Sequence, residues 1–102
     1  MCVLLVEDDE LIRACLTDMM TDAGYAVVGA ADGNTALQLI GADRFPQMVV
    51  SDINLGSGMD GFELLATARL WWPEVPALLM SGVATNFTNR CQSDFERFML
   101  VL

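Results

Sequence analysis

Oxygen donors close three short apolar runs in this chain. Val3-Leu4-Leu5-Val6 leads into Glu7-Asp8-Asp9-Glu10, Met48-Val49-Val50-Ser51 leads into Asp52, and Pro76-Ala77-Leu78-Leu79-Met80 leads into Ser81. Carboxylates gathered in one crevice repel each other, so either their pKa values rise or a cation neutralises them. A hard divalent ion is the economical solution. Mg²⁺ keeps several waters, needs one or two carboxylates, and takes its remaining oxygens from a phosphorylated substrate. Asp9 reads as the cap of a following helix and Glu10 as an acid of its first turn, which leaves Glu7, Asp8 and Asp52 as the acids open to such a role.

For these residues to meet, the runs must be neighbouring strands. Each run has strand length and is followed by a segment of helical period, the pattern of βα units on a parallel sheet. Continuous apolar runs suit strands buried on both faces. The spacing of Leu11, Ile12, Cys15, Leu16, Met19, Met20 and Ala23 predicts a core-facing helix over residues 9–23, stopped by Gly24. A second strand is expected over 25–30, a turn and cap at Asp32-Gly33-Asn34, and a short helix over 36–40. The third strand covers 48–51, and a helix from Phe62 to Trp72 is closed by Pro73. The fourth strand covers 76–80, a weak fourth helix falls within 85–96, and a fifth strand covers 98–102. Sites in such sheets lie beyond the carboxyl ends of the strands, near the point where strand order reverses. Glu7, Asp8, Asp52 and Ser81 all fall there.

Composition narrows the chemistry. The 102 residues fit a single domain and are 54% hydrophobic. Five arginines against fourteen acids give a net charge of −9, which would repel a phosphate backbone, so direct nucleic-acid binding is not expected. Without histidine there is no Ser-His-Asp triad and no His-anchored zinc site. Without lysine there is no Schiff base and no P-loop. Cys2, Cys15 and Cys91 are widely spaced and form no CxxC, so buried free thiols in a reducing cytoplasm are expected. The start of the chain lacks a basic, cleavable signal pattern, and no apolar run is long enough for a membrane span.

With these residues in view, the chain resembles the receiver domain of two-component response regulators, including the receivers of hybrid histidine kinases. The resemblance rests on Val3-Leu4-Leu5-Val6-Glu7-Asp8-Asp9-Glu10, Ser51-Asp52-Ile53-Asn54-Leu55, Gly58-Met59-Asp60-Gly61-Phe62-Glu63-Leu64-Leu65 and Val75-Pro76-Ala77-Leu78-Leu79-Met80-Ser81-Gly82, in that order. It implies an α/β, flavodoxin-like, doubly wound parallel sheet of five strands in one domain over residues 1–102, with the last helix missing. It also implies that Asp52 is the phosphoacceptor, taking a phosphoryl group from a sensor histidine kinase or phosphotransfer protein. Mg²⁺ would be held by Asp8, Asp52 and the main-chain carbonyl of Asn54, with Glu7 acting through water. Ser81 would contact the phosphoryl group and move as the switch. Such a domain is a cytoplasmic signalling module rather than an enzyme.

The chain also departs from the family. Receivers carry a lysine at the end of strand five, a position that falls at Leu102 or just past it. The loop after Asp52 is one residue longer than the commonest form, with Gly56 where proline is frequent. These departures keep a phosphorylation-independent interaction module open as the alternative. A Mg²⁺-dependent phosphohydrolase with an aspartate nucleophile is a weaker one, since Asn54 stands where its general acid belongs. Thinly covered apolar surface on helix one and strand five leads to an expectation of self-association.

Overall fold

A computed structural model describes residues 2–41, 46–56, 58–80 and 99–101, the last stretch for its backbone alone. The elements follow in the order β1 (Cys2–Val6), α1 (Glu10–Asp22), β2 (Val27–Ala30), α2 (Gly33–Ile40), β3 (Pro46–Asp52), α3 (Gly61–Trp71), β4 (Ala77–Met80) and β5 (Met99–Val101). The five strands form one parallel sheet ordered β2-β1-β3-β4-β5. Strand order reverses between β1 and β3. The expected helix within 85–96, Ser81 and Cys91 lie outside the described residues.

β1 can sit inside the sheet, between β2 and β3, because nothing on it needs water. Val3, Leu4, Leu5 and Val6 are fully buried, with β2 on one edge and β3 on the other. Alternation sends Leu4 and Val6 to one face, where they join Val49, Leu79, Phe62, Leu64, Leu65 and Ala68 beneath α2 and α3. Each such side chain contributes about 1.5–3 kcal/mol on leaving water. Val3, Leu5 and Val50 face the other way, against Leu16 and Met20 of α1. Trp72 is buried in the first cluster, while Trp71 is exposed and meets it edge-on at 5.5 Å between ring centres.

The expectation of a core-facing α1 needs correction. No residue of α1 is fully buried: Leu11 is 83% and Met19 61% exposed, and Ile12, Cys15 and Ala23 are exposed too. Only the line through Arg13, Leu16, Thr17 and Met20 turns toward the sheet. The apolar residues of this helix occupy more of its circumference than one sheet contact can cover. For the same reason Cys15 is an exposed thiol, whereas Cys2 is buried as expected.

The candidate carboxylate site

Register brings the acids together. Val6 pairs with Ser51, so the residues one step further, Glu7 past β1 and Asp52 ending β3, lie side by side at the carboxyl edge of the sheet. One carboxylate oxygen from each of Glu7, Asp8 and Asp52 lies within 4.8 Å of the others. The three differ in exposure: Glu7 is buried at 4%, Asp52 is half-buried and Asp8 is exposed. Asp9 stands apart as the N-cap of α1, its Oδ1 accepting from the N–H groups of Leu11 at 2.9 Å and Ile12 at 3.1 Å. The expected role of Asp9 as the helix cap is therefore seen in the geometry.

Backbone contacts fix Asp52 from behind. Its carbonyl accepts from the Ser51 hydroxyl at 2.8 Å, and its Oδ1 accepts from the Asn54 N–H at 3.3 Å. The next residue, Ile53, donates to the Met80 carbonyl at 2.8 Å and accepts from the Gly61 N–H at 2.8 Å. α3 starts so close to this turn that a Cβ on Gly61 would lie 2.6 Å from the Asp52 carbonyl oxygen and 2.9 Å from Ile53 Cα. Only glycine fits there. An Asp60–Glu63 capping box holds the helix start, with the Glu63 N–H on Asp60 Oδ1 at 2.8 Å and the Asp60 N–H on Glu63 Oε1 at 3.3 Å. Sequence reading passed over both features, although the Asp-x-x-Glu spacing was visible.

The loop after Asp52 departs from the common form for a backbone reason. Gly56 has φ +78°, a conformation that proline, locked near −65°, cannot adopt. A Cβ on Gly56 would lie 3.6 Å from Asp8 Oδ2, so the loop passes directly beside the site. Further along, Met59 packs on Gly33 at the start of α2, and the loop walls a cavity of about 580 Å³ lined by Asp32, Asn34, Leu55 and Met59 among others.

Electrostatics follow from this crowding. Burial pushes the Glu7 carboxyl above its ordinary range, opposed by the Asp9 N–H at 3.1 Å and reinforced by Asp8 and Asp52. Burial and then the Asp8 charge push the Asp52 carboxyl up, against the Asn54 N–H. A cation among the three would reverse both shifts. The donor set consists of hard oxygens alone, partly exposed, with no sulfur or imidazole, and it fits Mg²⁺. Asn54, the fourth expected ligand, is exposed on the loop with its side-chain Oδ1 turned to the Gly56 N–H at 3.2 Å.

Comparison with known proteins adds an independent line. A family model described as the response regulator receiver domain matches residues 3–95. The response regulator protein FleR of Pseudomonas aeruginosa is 39% identical over 80 residues, covering 78% of this chain and 16% of FleR. The nitrogen assimilation regulatory protein NtrX of Azorhizobium caulinodans is 38% identical over 81 residues, covering 78% of this chain and 18% of NtrX. The chain thus spans under a fifth of the length of these two relatives. Among solved structures, the chemotaxis protein CheY4 of Vibrio cholerae superposes with a TM-score of 0.84 at 27% identity, covering 98% of this chain and 82% of that one. The receiver domain of the hybrid histidine kinase CckA superposes with a TM-score of 0.79 at 27% identity, covering 100% and 83%.

Proposed function

Since the chain belongs to the response regulator receiver domain family of two-component signalling, we propose that it accepts a phosphoryl group on Asp52 from the phosphohistidine of a sensor histidine kinase or phosphotransfer protein. The observation that carries this reading is the meeting of the Glu7, Asp8 and Asp52 carboxylates at the strand ends, with Asp52 held by the Ser51 hydroxyl and the Asn54 N–H. The Asn54 N–H engages Oδ1 of Asp52, which leaves the second carboxylate oxygen as the nucleophile. That oxygen attacks phosphorus in line with the P–N bond, an O–P bond forms, and the imidazole nitrogen departs with the electron pair. Asp8, Asp52 and the Asn54 carbonyl, with Glu7 acting through water, would hold Mg²⁺, which when bound would supply positive charge to offset the charge on the phosphoryl oxygens. Ser81, the residue that follows β4 in the sequence, is assigned the phosphoryl contact that drives switching. The 102 residues act as one receiver unit in the cytoplasm, a phosphoacceptor rather than an enzyme with a released product.

The alternative reading is an interaction module phosphorylated poorly or not at all. One experiment separates them. Acetyl phosphate with Mg²⁺ is expected to add a single phosphoryl group by intact-mass spectrometry, and Asp52→Asn is expected to lose it. Label persisting on Asp52→Asn would move the acceptor elsewhere, and no label on the unaltered chain would favour the interaction module.

A further inference from the structure

Glu7 is gripped by one turn of α1. Its N–H donates to the Ala30 carbonyl at 3.0 Å, as the sheet requires. The other two holds come from the helix. Its carboxylate Oε2 accepts from the Asp9 N–H at 3.1 Å, and its carbonyl accepts from Arg13 Nη1 at 2.8 Å. Asp9 and Arg13 stand one turn apart and are themselves joined, Arg13 N–H to Asp9 carbonyl, at 2.9 Å. The Arg13 stem reaches Glu7 by crossing β2 at Gly29, where a Cβ would stand 3.7 Å from Arg13 Cδ. The half-buried arginine is held in turn by Thr17, whose Oγ1 donates to its carbonyl at 2.7 Å.

We infer that Arg13 is a positioning residue for the cation site: by anchoring the Glu7 carbonyl it fixes the end of β1, and with it the placement of the Glu7 and Asp8 carboxylates opposite Asp52. This rests on the magnesium reading given above. Charge and geometry make opposite demands here, which makes the inference testable. As a positive charge near the site, Arg13 repels a cation, so if charge were its whole effect, removing it would tighten binding. As an anchor, it pre-forms the donor set, so removing it loosens binding. Groups that orient metal ligands in this way are worth roughly 10–100-fold in affinity.

The test is calorimetric titration of the full chain with MgCl₂ at pH 7. Arg13→Met keeps an apolar stem over Gly29 but leaves the Glu7 carbonyl without its donor, and it is expected to raise Kd about tenfold. Arg13→Lys, which restores a charged donor, is expected to recover most of that loss. Equal or tighter binding by Arg13→Met overturns the inference. If Arg13→Met shows no cooperative melt, Arg13→Gln, too short to reach Glu7, takes its place with the same expectation and the same overturning result. If the unaltered chain binds no Mg²⁺, the magnesium reading itself fails. Hydrogen exchange at the Asp9 N–H, which needs no metal, then decides: faster exchange in the variant supports the anchoring role, and unchanged exchange refutes it.

Discussion

Burial and the Asp8 charge both push the Asp52 carboxyl up, yet the proposed attack on phosphorus needs the carboxylate. The same conflict touches Glu7. Because these acids hold their protons more tightly in the fold than in the open chain, their contribution to stability is full below the ordinary values of 3.8 and 4.5 and is lost as pH rises through the raised values. Asp52→Asn, neutral at every pH, is therefore expected to be more stable than the unaltered chain at pH 7 without metal. The gain is expected as a higher Tm at pH 7 that vanishes toward pH 3. Thermal melts at the two pH values check this; a variant less stable at pH 7 would show that the Asn54 bond outweighs the repulsion. Asp8 and Asp52 were legible in the sequence because each follows a buried strand. That Glu7 is buried while Asp8 is exposed was not legible, because it depends on how the first turn of α1 folds back over β1.

Among the elements, α3 sets the position of the site most tightly, since Gly61 touches the backbone of Asp52 and Ile53. Gly61→Ala is expected to push the helix start away from Asp52 and to cost about 1–3 kcal/mol, as overpacking against rigid atoms does. Urea denaturation measures the loss, and acetyl phosphate labelling should slow in the same variant. Unchanged stability would mean that the helix end yields more easily than its contacts suggest. Strand and helix order could be read from the alternation of apolar runs with helical periods, and the boundaries moved by only a few residues. α2 starts at Gly33 rather than near 36 because Asp32 caps it, its Oδ1 accepting from the Thr35 N–H at 2.7 Å. α1 was misread because a helical period shows which residues share a face, and says nothing of how much of that face a sheet can cover.

On the scale of the whole molecule, an exposed apolar stripe on α1, through Leu11, Ile12 and Met19, lies on a chain of net charge −9. The stripe favours association of copies and the charge opposes it. Self-association through α1 and β5 is thus expected to strengthen as salt rises, because the screening length falls to about 10 Å at 0.1 M. Light scattering after size exclusion tests this, and Leu11→Gln with Met19→Gln should leave a monomer; a monomer of the unaltered chain at high micromolar concentration and high salt refutes it. Among the described residues, no helix is long and apolar enough to cross a membrane. The interior place of β1 also bears on how the chain is made. Val3 pairs with Val27 on one side and Met48 on the other, so both edges of the most apolar strand wait for residues synthesised 24 and 45 positions later. At roughly 5–20 residues per second, the second edge stays open for about 2–9 s on the ribosome. During that interval the segment that leads into Glu7 and Asp8 is an unpaired hydrophobic strand, open to pairing with the wrong edge.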